Sequence, residues 1–332
     1  MSTPSFGSGL FASSPPSVAV EITSRAVHVV GIDVHGSTRT ISAHSSEPLP
    51  RGLVTPGLNV VNVHEPAALA AAVRTAVDRI APRPRRVALV LPDTVAKVSL
   101  LRFEKVPPKA PDLDQLIRWQ MRKAAPFRIE DGQVSWAESA EIAGGGREYL
   151  VVLARRDIVQ SYENACIASG MQAGIVDIVS LNLINAVVAV ERAPIPGDWL
   201  LVHTAEDCAT LAVVRAGHVV FFRTRPSDAA SAGDIGDLVH QTAMYHEDRL
   251  GGGGFSRVIV SGFGAEAGEG SQRMKRQIEE RLGTSVEPLD VTRGLTLRDR
   301  IASSPALLDT LAPAAGILLR DRLGPRVREG IA

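Results

Sequence analysis

Two short stretches near the amino terminus contain the residue types from which a phosphate-binding turn is built. The first, EITSR, covers residues 21–25 and offers an acid and two hydroxyls. The second, GIDVHGST, covers residues 31–38 and adds two glycines. Glycine lets backbone amides approach a phosphate, and a nearby carboxylate can hold the water shell of magnesium. Either stretch can therefore be half of a nucleotide site, and strand order must decide between them.

Composition excludes several other classes of function. The 332 residues are 45% apolar, enough for two domains, and 36 basic residues balance 36 acidic ones, so we expect no nucleic-acid partner. Two cysteines are too few for a disulfide framework or a zinc site. Histidine spacing predicts no metal site, and no motif predicts a catalytic nucleophile. Because no run approaches the roughly 20 apolar residues of a membrane span, we predict a cytoplasmic protein.

Hydrophobic periodicity gives the first half of the chain a definite order. Alternating apolar residues predict a meander of three strands, at residues 18–22, 27–34 and 39–44. An apolar stripe predicts a helix over residues 65–80, and a buried strand follows at 85–91. The next block, residues 94–171, reads strand, helix, strand, strand, helix, with Asp112 as the cap of its first helix.

The second half repeats the same order. An apolar helix over residues 176–190 leads to a break rich in proline and glycine. Beyond it, three strands, a helix, a strand, a helix and a strand are predicted in turn, at residues 199–203, 209–215, 218–225, 234–250, 257–261, 272–282 and 285–289. The final helix is predicted to begin near Pro313, a favourable first-turn residue. This repetition predicts a two-lobed fold with a ligand cleft between the lobes.

Four motifs of the middle block, taken in order, resemble the type IV pilus assembly protein PilM family. They are LPD at residues 91–93, FEKVP at 103–107, LDQLIRWQMRKAAPF at 113–127 and VVLARRD at 151–157. The resemblance implies an α/β, actin-like bilobed fold of two ribonuclease H-like lobes with an inserted βαββα subdomain, built like FtsA. The implied parts are an amino-terminal tail (1–16), a first lobe (17–93 and 172–197), the insert (94–171), a second lobe (198–303), a carboxyl-terminal helix returning to the first lobe (304–323) and a tail (324–332).

The resemblance also implies a role. Members of this family are scaffolds on the inner face of the inner membrane, where they hold the amino-terminal tail of PilN and communicate with the pilus motor ATPases. We therefore expect a peripheral membrane protein that is attached through its partner and does not act as an enzyme. Assembly into a homo-oligomeric ring is one further possibility that the resemblance allows. Two alternatives also stay open: an active actin-like ATPase or kinase relative, and a PilM-like component of a type II secretion system.

One helix face of the middle block combines charge with a large aromatic side chain. The residues concerned are Arg118, Trp119, Arg122 and Lys123. In one interpretation this face is solvated. In the other it is a docking surface for a partner tail or a motor, because tryptophan and arginine are enriched among the residues that dominate binding interfaces.

Strand order assigns the first phosphate position to EITSR. Two further strands should follow a phosphate hairpin, and only one is available after GIDVHGST. The resemblance then places Glu21 where the family has aspartate, Thr23 where it has glycine, Ser24 at a hydroxyl position and Arg25 at the tip. Glutamate is longer than aspartate and threonine is branched, so we predict a distorted site.

The other two nucleotide elements have also changed. In the second turn His203 stands where the family has aspartate, and Glu206 and Asp207 occupy the tip. Carboxylates at the tip repel a triphosphate. The third turn keeps Gly262 and Gly264 with a phenylalanine between them, and it is either an adenosine contact or a turn without a ligand. We therefore predict that binding of ATP with Mg²⁺ is weak or lost.

Overall fold

The computed structural model describes residues 16–36, 38–80, 83–142, 146–191, 193, 195–226, 232–262, 269–298, 301 and 303–320. The predicted tails, apart from residue 16, and Gly264 lie outside the described residues. In the part of the chain that is described, no helix is long and apolar enough to span a membrane.

The first half of the chain alternates between strands and helices much as the periodicity predicts. Its elements are β1 (Val18–Ile22), β2 (Ala26–His35), β3 (Thr38–Pro48), α1 (Pro66–Asp78), β4 (Arg86–Leu91), β5 (Ala96–Phe103), α2 (Ala110–Met121), β6 (Gly132–Ile142), β7 (Gly146–Arg155), α3 (Arg156–Ala168), β8 (Gln172–Ile178) and α4 (Val179–Val190). The second half contains β9 (Asp198–Thr204), β10 (Cys208–Arg215), β11 (His218–Pro226), α5 (Ala232–Leu250), β12 (Arg257–Ser261), α6 (Glu269–Leu282), β13 (Val286–Pro288), β14 (Thr296–Leu297) and α7 (Pro305–Leu318).

Two of the three sheets share one topology. The first has the order β14-β3-β2-β1-β4-β8 and the second β11-β10-β9-β12-β13. Without β14, each sheet places its strands in the order third, second, first, fourth, fifth. In each, the first three strands are antiparallel and the last two join in parallel. These repeated lobes confirm the predicted actin-like bilobed fold. The third sheet, β5-β7-β6, forms the insert.

The hydrophobic core lies in layers on both sides of the two lobe sheets. Helices α4 and α7 lie between the lobes, where Leu183 and Leu311 pack in one cluster with Trp199. Helices α1 and α3 cover the far face of the first sheet, and α5 and α6 cover that of the second. Helix α3, at the end of the predicted insert, therefore packs on the first lobe, whereas α2 packs on the insert sheet.

Three sequence predictions about elements are wrong. The predicted helix over residues 176–190 begins only at Val179, because the preceding residues form β8 at the edge of the first sheet. Helix α7 begins at Pro305 rather than near Pro313, and the hydroxyl of Ser304 caps it by accepting a hydrogen bond from the Leu307 amide at 3.2 Å. Lys109, not Asp112, is the N-cap residue of α2.

One short strand from the predicted second lobe pairs with the sheet of the first lobe. Residues 296–297 lie within the range predicted for the second lobe, yet β14 pairs in parallel with β3 of the first sheet. The hydroxyls of Thr40 and Thr296 are 2.7 Å apart across this pairing. The chain therefore returns to the first lobe before α7 begins.

Candidate functional site

A cleft of about 830 Å³ lies between the lobes, at the carboxyl ends of the parallel strands. In open α/β sheets this edge is where ligands bind, because the loops that follow parallel strands meet there. The β1–β2 hairpin, the β9–β10 hairpin and the end of β12 all line the cleft. Strand order thus places EITSR in the cleft, while GIDVHGST lies along β2 and the following turn.

At the tip of the first hairpin, the side chain of Thr23 forms hydrogen bonds with two backbone amides. Its hydroxyl oxygen accepts hydrogen bonds from the amides of Arg25 at 3.1 Å and Ala26 at 3.0 Å. The same hydroxyl donates to the carbonyl of Ala26 at 3.0 Å. An amide proton already bonded inside its own turn is a poor donor to a phosphate. The hydroxyl of Thr23 therefore satisfies two amide donors of its own hairpin.

Arg25 forms an ion pair across the mouth of the cleft. Its Nε lies 2.8 Å from a carboxylate oxygen of Glu206, at the tip of the hairpin in the other lobe. Both side chains are partly exposed, so the pair adds little stability, but it engages the guanidinium with a carboxylate. The arginine that the sequence offers as a phosphate ligand is thus paired with the opposite lobe.

Glu21 is buried at the base of the first hairpin. Only 4% of the residue is exposed, and its Oε2 has no hydrogen-bond partner. Burial, together with the nearby carboxylates of Asp309 and Asp93, raises the pKa of this carboxyl to about 8. At neutral pH Glu21 is therefore mostly protonated, and a neutral acid cannot hold a magnesium water shell as an ionised aspartate does.

Asp93 joins both lobes behind the hairpins. Its Oδ1 accepts from the amide of Ser180 at 2.8 Å, and its Oδ2 accepts from the hydroxyls of Ser180 and of Thr210, the latter at 2.8 Å. Ser180 belongs to α4 and Thr210 to β10. All of these donors are supplied by the protein, which stabilises a buried carboxylate as part of the structure.

The second hairpin presents carboxylates where a phosphate would approach. Asp207 accepts from the hydroxyl of Thr94 at 2.9 Å, a further link between the two halves of the chain. Burial raises the pKa of Asp207, although the Thr94 hydrogen bond opposes this shift. His203 is buried at the penultimate position of β9, and its Nδ1 has no partner.

At the end of β12, Gly262 is needed for packing. Its φ is +86°, and a Cβ atom built on it would lie 1.7 Å from the carbonyl oxygen of Thr204. Its amide donates to both carboxylate oxygens of Asp309, at 3.0 and 2.9 Å, and the Ser261 hydroxyl donates to the same side chain at 2.6 Å. The carboxylate of Asp309, on α7, thus caps the turn for which an adenosine contact is one interpretation of the sequence.

The chemistry available in the cleft is that of carboxylates. Five acidic side chains line it: Glu21, Asp93, Glu206, Asp207 and Asp309. Within the described ranges, no group of three or more His, Cys, Asp or Glu side chains is arranged to hold a metal ion. Those of the five that are ionised oppose the approach of a polyphosphate.

The predicted partner-binding residues lie elsewhere, on α2 of the insert. Arg118 pairs with Asp114 at 2.7 Å, and Arg122 with Glu130 at 3.1 Å. Trp119 is 57% exposed, and the ammonium of Lys123 lies 5.6 Å from the centre of its ring. None of the four lines the cleft. The two arginines are already neutralised, which leaves Trp119 as the distinctive feature of this face.

A family model described as type IV pilus assembly protein PilM matches residues 19–230. The chain belongs to the type IV pilus assembly protein PilM family. The resemblance inferred from the middle-block motifs is thereby confirmed, and the chain is a type IV pilus assembly component. No curated protein sequence matches it.

The chain also has matches among solved structures. The chain is similar to the PilM–PilN type IV pilus biogenesis complex, with a TM-score of 0.75 and 17% identity, over 91% of this chain and 96% of that one. It also matches the cytoplasmic domain of EpsL from Vibrio cholerae (TM-score 0.46, 11% identity, 92% and 93% covered). A third match is ethanolamine utilization protein EutJ from Carboxydothermus hydrogenoformans (TM-score 0.47, 11% identity, 92% and 90% covered).

Of the predicted nucleotide residues, the structure brings Glu21, Thr23, Ser24, Arg25, Asp207 and Gly262 together in the cleft. Sequence reasoning about the PilM-like site missed Asp93 and Asp309. Asp93 had a usable signal, since it directly follows the buried strand β4 and the carboxyl ends of parallel strands converge. Asp309 had none, because only folding brings α7 to the end of β12.

Proposed function

We propose that this PilM-family chain is a scaffold of a type IV pilus machine that binds the amino-terminal tail of a PilN-type membrane protein and does not hydrolyse ATP. The observation that carries the proposal is family membership together with the fold match to PilM in its PilN complex over nearly the whole of both chains. Attachment to the inner face of the inner membrane, and contact with the pilus motor ATPases, would then follow from the partner.

The cleft supports the part of the proposal that concerns ATP. Thr23 satisfies the tip amides of the first hairpin. The guanidinium of Arg25 is paired with Glu206. A γ-phosphate would meet carboxylates from both lobes instead of amide donors. A scaffold needs the bilobed shape but not the phosphate chemistry, so these replacements are compatible with function.

We propose the α2 face as the docking surface for the tail. Trp119 is the largest exposed apolar side chain in the described part of the chain, and neutralised arginines flank it. Aromatic residues surrounded by polar contacts often supply most of the energy of a protein interface. A short apolar tail segment can cover the indole ring while its polar groups meet the flanking ion pairs.

Isothermal titration calorimetry with the amino-terminal peptide of the matched PilN, and with a scrambled peptide, tests the proposal. We expect saturable binding of the native peptide alone. Trp119→Ala should weaken it by about tenfold or more. Ile167→Ala, which removes a similarly exposed apolar side chain from α3, should leave it unchanged. No binding by folded wild-type protein would reject the PilN role, whereas binding insensitive to Trp119→Ala would reject only the α2 surface.

A further inference from the structure

Two buried polar atoms in the cleft have no partner, and they occupy equivalent places in the two lobes. Glu21 is the penultimate residue of β1, and His203 is the penultimate residue of β9. The residues are 4% and 7% exposed, and Glu21 Oε2 and His203 Nδ1 make no hydrogen bond. Both residues line the cleft. Buried polar groups are nearly always satisfied, so two orphans facing one cavity point to a ligand.

The charges around these atoms exclude an anion. The cleft lining contains five acidic side chains, of which Glu21 is mostly protonated at neutral pH, and two arginines, Arg25 and Arg51. The first arginine is paired with Glu206, and Arg51 is an exposed residue. The tip amides of the first hairpin are bonded to Thr23. Two tip amides and the guanidinium of Arg25 are thus engaged within the protein, and acidic side chains outnumber arginines in the lining.

We propose that the cleft binds a small organic cation that carries N–H donors, an ammonium or a guanidinium group, with Glu21 as its main carboxylate and His203 as a second contact. Such a cation donates hydrogen bonds to the orphan carboxylate oxygen and balances the surrounding acids. A metal ion fits less well, because the described residues offer no cluster of three or more ligands. A volume of about 830 Å³ accommodates a small molecule of this kind.

Binding of the cation must release a proton from Glu21. In the empty cleft its pKa is about 8, because of burial and of the charges on Asp309 and Asp93. The cation binds the ionised carboxylate, so below pH 8 each lower pH unit should weaken binding by about tenfold. His28, the cross-strand neighbour of Glu21, has its pKa lowered to about 4 by burial and stays neutral across this range. The other charged or titratable groups that line the cleft are His203, Asp207, Glu206, Cys208, Arg25 and Arg51.

Three monovalent cations test the proposal at constant ionic strength: methylguanidinium, methylammonium and tetramethylammonium. The first two carry N–H donors, and their comparison distinguishes a guanidinium from an ammonium ligand. The third carries the same charge without N–H donors. Binding to the full chain is followed by NMR chemical shifts or calorimetry between pH 6 and 9. We expect saturable binding of at least one donor-bearing cation, about tenfold tighter than tetramethylammonium, with affinity rising up to about pH 8 and level above it.

Variants assign the effect to the cleft. Glu21→Gln keeps the shape but removes the ionisable group, so it should weaken binding by about tenfold at pH 8.5 and abolish the pH dependence. Glu247→Gln, an exposed residue of α5 outside the cleft, should change neither. Equal binding of all three cations, no binding of any, or binding independent of pH in the wild type would overturn the proposal. The wild-type results decide the matter even if Glu21→Gln does not fold.

Discussion

The β1–β2 hairpin of the first lobe and the β9–β10 hairpin of the second occupy equivalent places in two sheets of the same strand order, yet they are satisfied in different ways. The first bonds its tip amides to its own side chain, Thr23. The second directs Glu206 and Asp207 outwards, to Arg25 and Thr94. The tip amides of the first hairpin are bonded within the hairpin, whereas both tip carboxylates of the second are bonded to groups outside its own lobe.

This difference supports the proposal that the actin-like cleft does not bind a nucleotide. The fold fixes where the hairpins lie, because strand order and the helices between the lobes determine it. The few residues at the tips determine what the cleft binds. Here, the hydrogen bonds of Asp93 and the pairing of Arg25 with Glu206 link the two lobes to each other directly.

The largest effect is expected at the end of β12, where Gly262 packs closely against Thr204 of the β9–β10 hairpin. Gly262→Ala places a Cβ against the Thr204 carbonyl at a positive φ. We expect a loss of about 3–5 kcal/mol in the free energy of unfolding, measured by urea denaturation. Gly217→Ala is the control, since Gly217 has φ +82° but open space around it. It should lose only about 1 kcal/mol, and equal losses would refute the packing role of Gly262.

The second effect concerns pH and the base of the first hairpin. Unfolded Glu21 ionises near its ordinary pKa of 4.5 and folded Glu21 near 8, so the folded protein binds an extra proton between these values. Stability from this group is therefore present at low pH and is lost as pH rises, by about 1.4 kcal/mol per pH unit. Urea denaturation of wild type and Glu21→Gln from pH 5 to 8.5 measures the difference. Parallel stability curves would contradict the buried, protonated acid.

The third effect compares the Thr23 hydroxyl, which accepts hydrogen bonds from the hairpin amides, with the hydroxyl of an ordinary helical threonine. Thr23→Val leaves the amides of Arg25 and Ala26 without their acceptor, and we expect a loss of about 1–2 kcal/mol in thermal or urea unfolding. Thr75→Val is the control, because the Thr75 hydroxyl only donates to the carbonyl of Ala71 within α1. It should lose about 0.5 kcal/mol or less. The reverse order of the two losses would argue against the role assigned to Thr23.

The smallest effect is expected for the ion pair between the hairpins. A double-mutant cycle on Arg25→Ala and Glu206→Ala should give a coupling energy of about 0.5 kcal/mol that falls with added salt, because both side chains are partly exposed. The pair Arg281–Asp237, at 3.1 Å within the second lobe, is the control for an ordinary surface pair. A coupling above about 2 kcal/mol would mean that the pair, and not the buried Asp93, is the main link between the lobes.

Much of the fold was predictable because periodicity and turn residues act locally. The two meanders and α1, α3 and α5 were found at their places, and the order of strands assigned EITSR to the cleft. Strand β8 was missed because its apolar end runs directly into the apolar α4, and periodicity cannot separate two buried elements without a break. Pro313 alone predicts too late a start for α7, because Ser304 and Pro305 supply the N-cap and the first-turn proline; the range implied by the resemblance, 304–323, includes this start.

The site was predictable in position but not in its contacts. Thr23 was expected to block a phosphate with its bulk, whereas its hydroxyl bonds the amides themselves. The pairing of Arg25 with Glu206 joins residues far apart in the chain, and no local pattern indicates it. The caps on Asp93 and Gly262 likewise come from distant elements, α4, β10 and α7. Contacts of this kind depend on how the lobes pack.

Calorimetry of the wild-type chain with ATP and Mg²⁺, together with a sensitive phosphate-release assay, tests the central claim most directly. We predict no saturable heat at micromolar to low-millimolar ATP and no turnover above background. Glu21→Gln should not alter either result. Micromolar binding of ATP, or magnesium-dependent turnover that Glu21→Gln abolishes, would contradict the proposal that this PilM-family cleft links its lobes by protein contacts and does not use ATP.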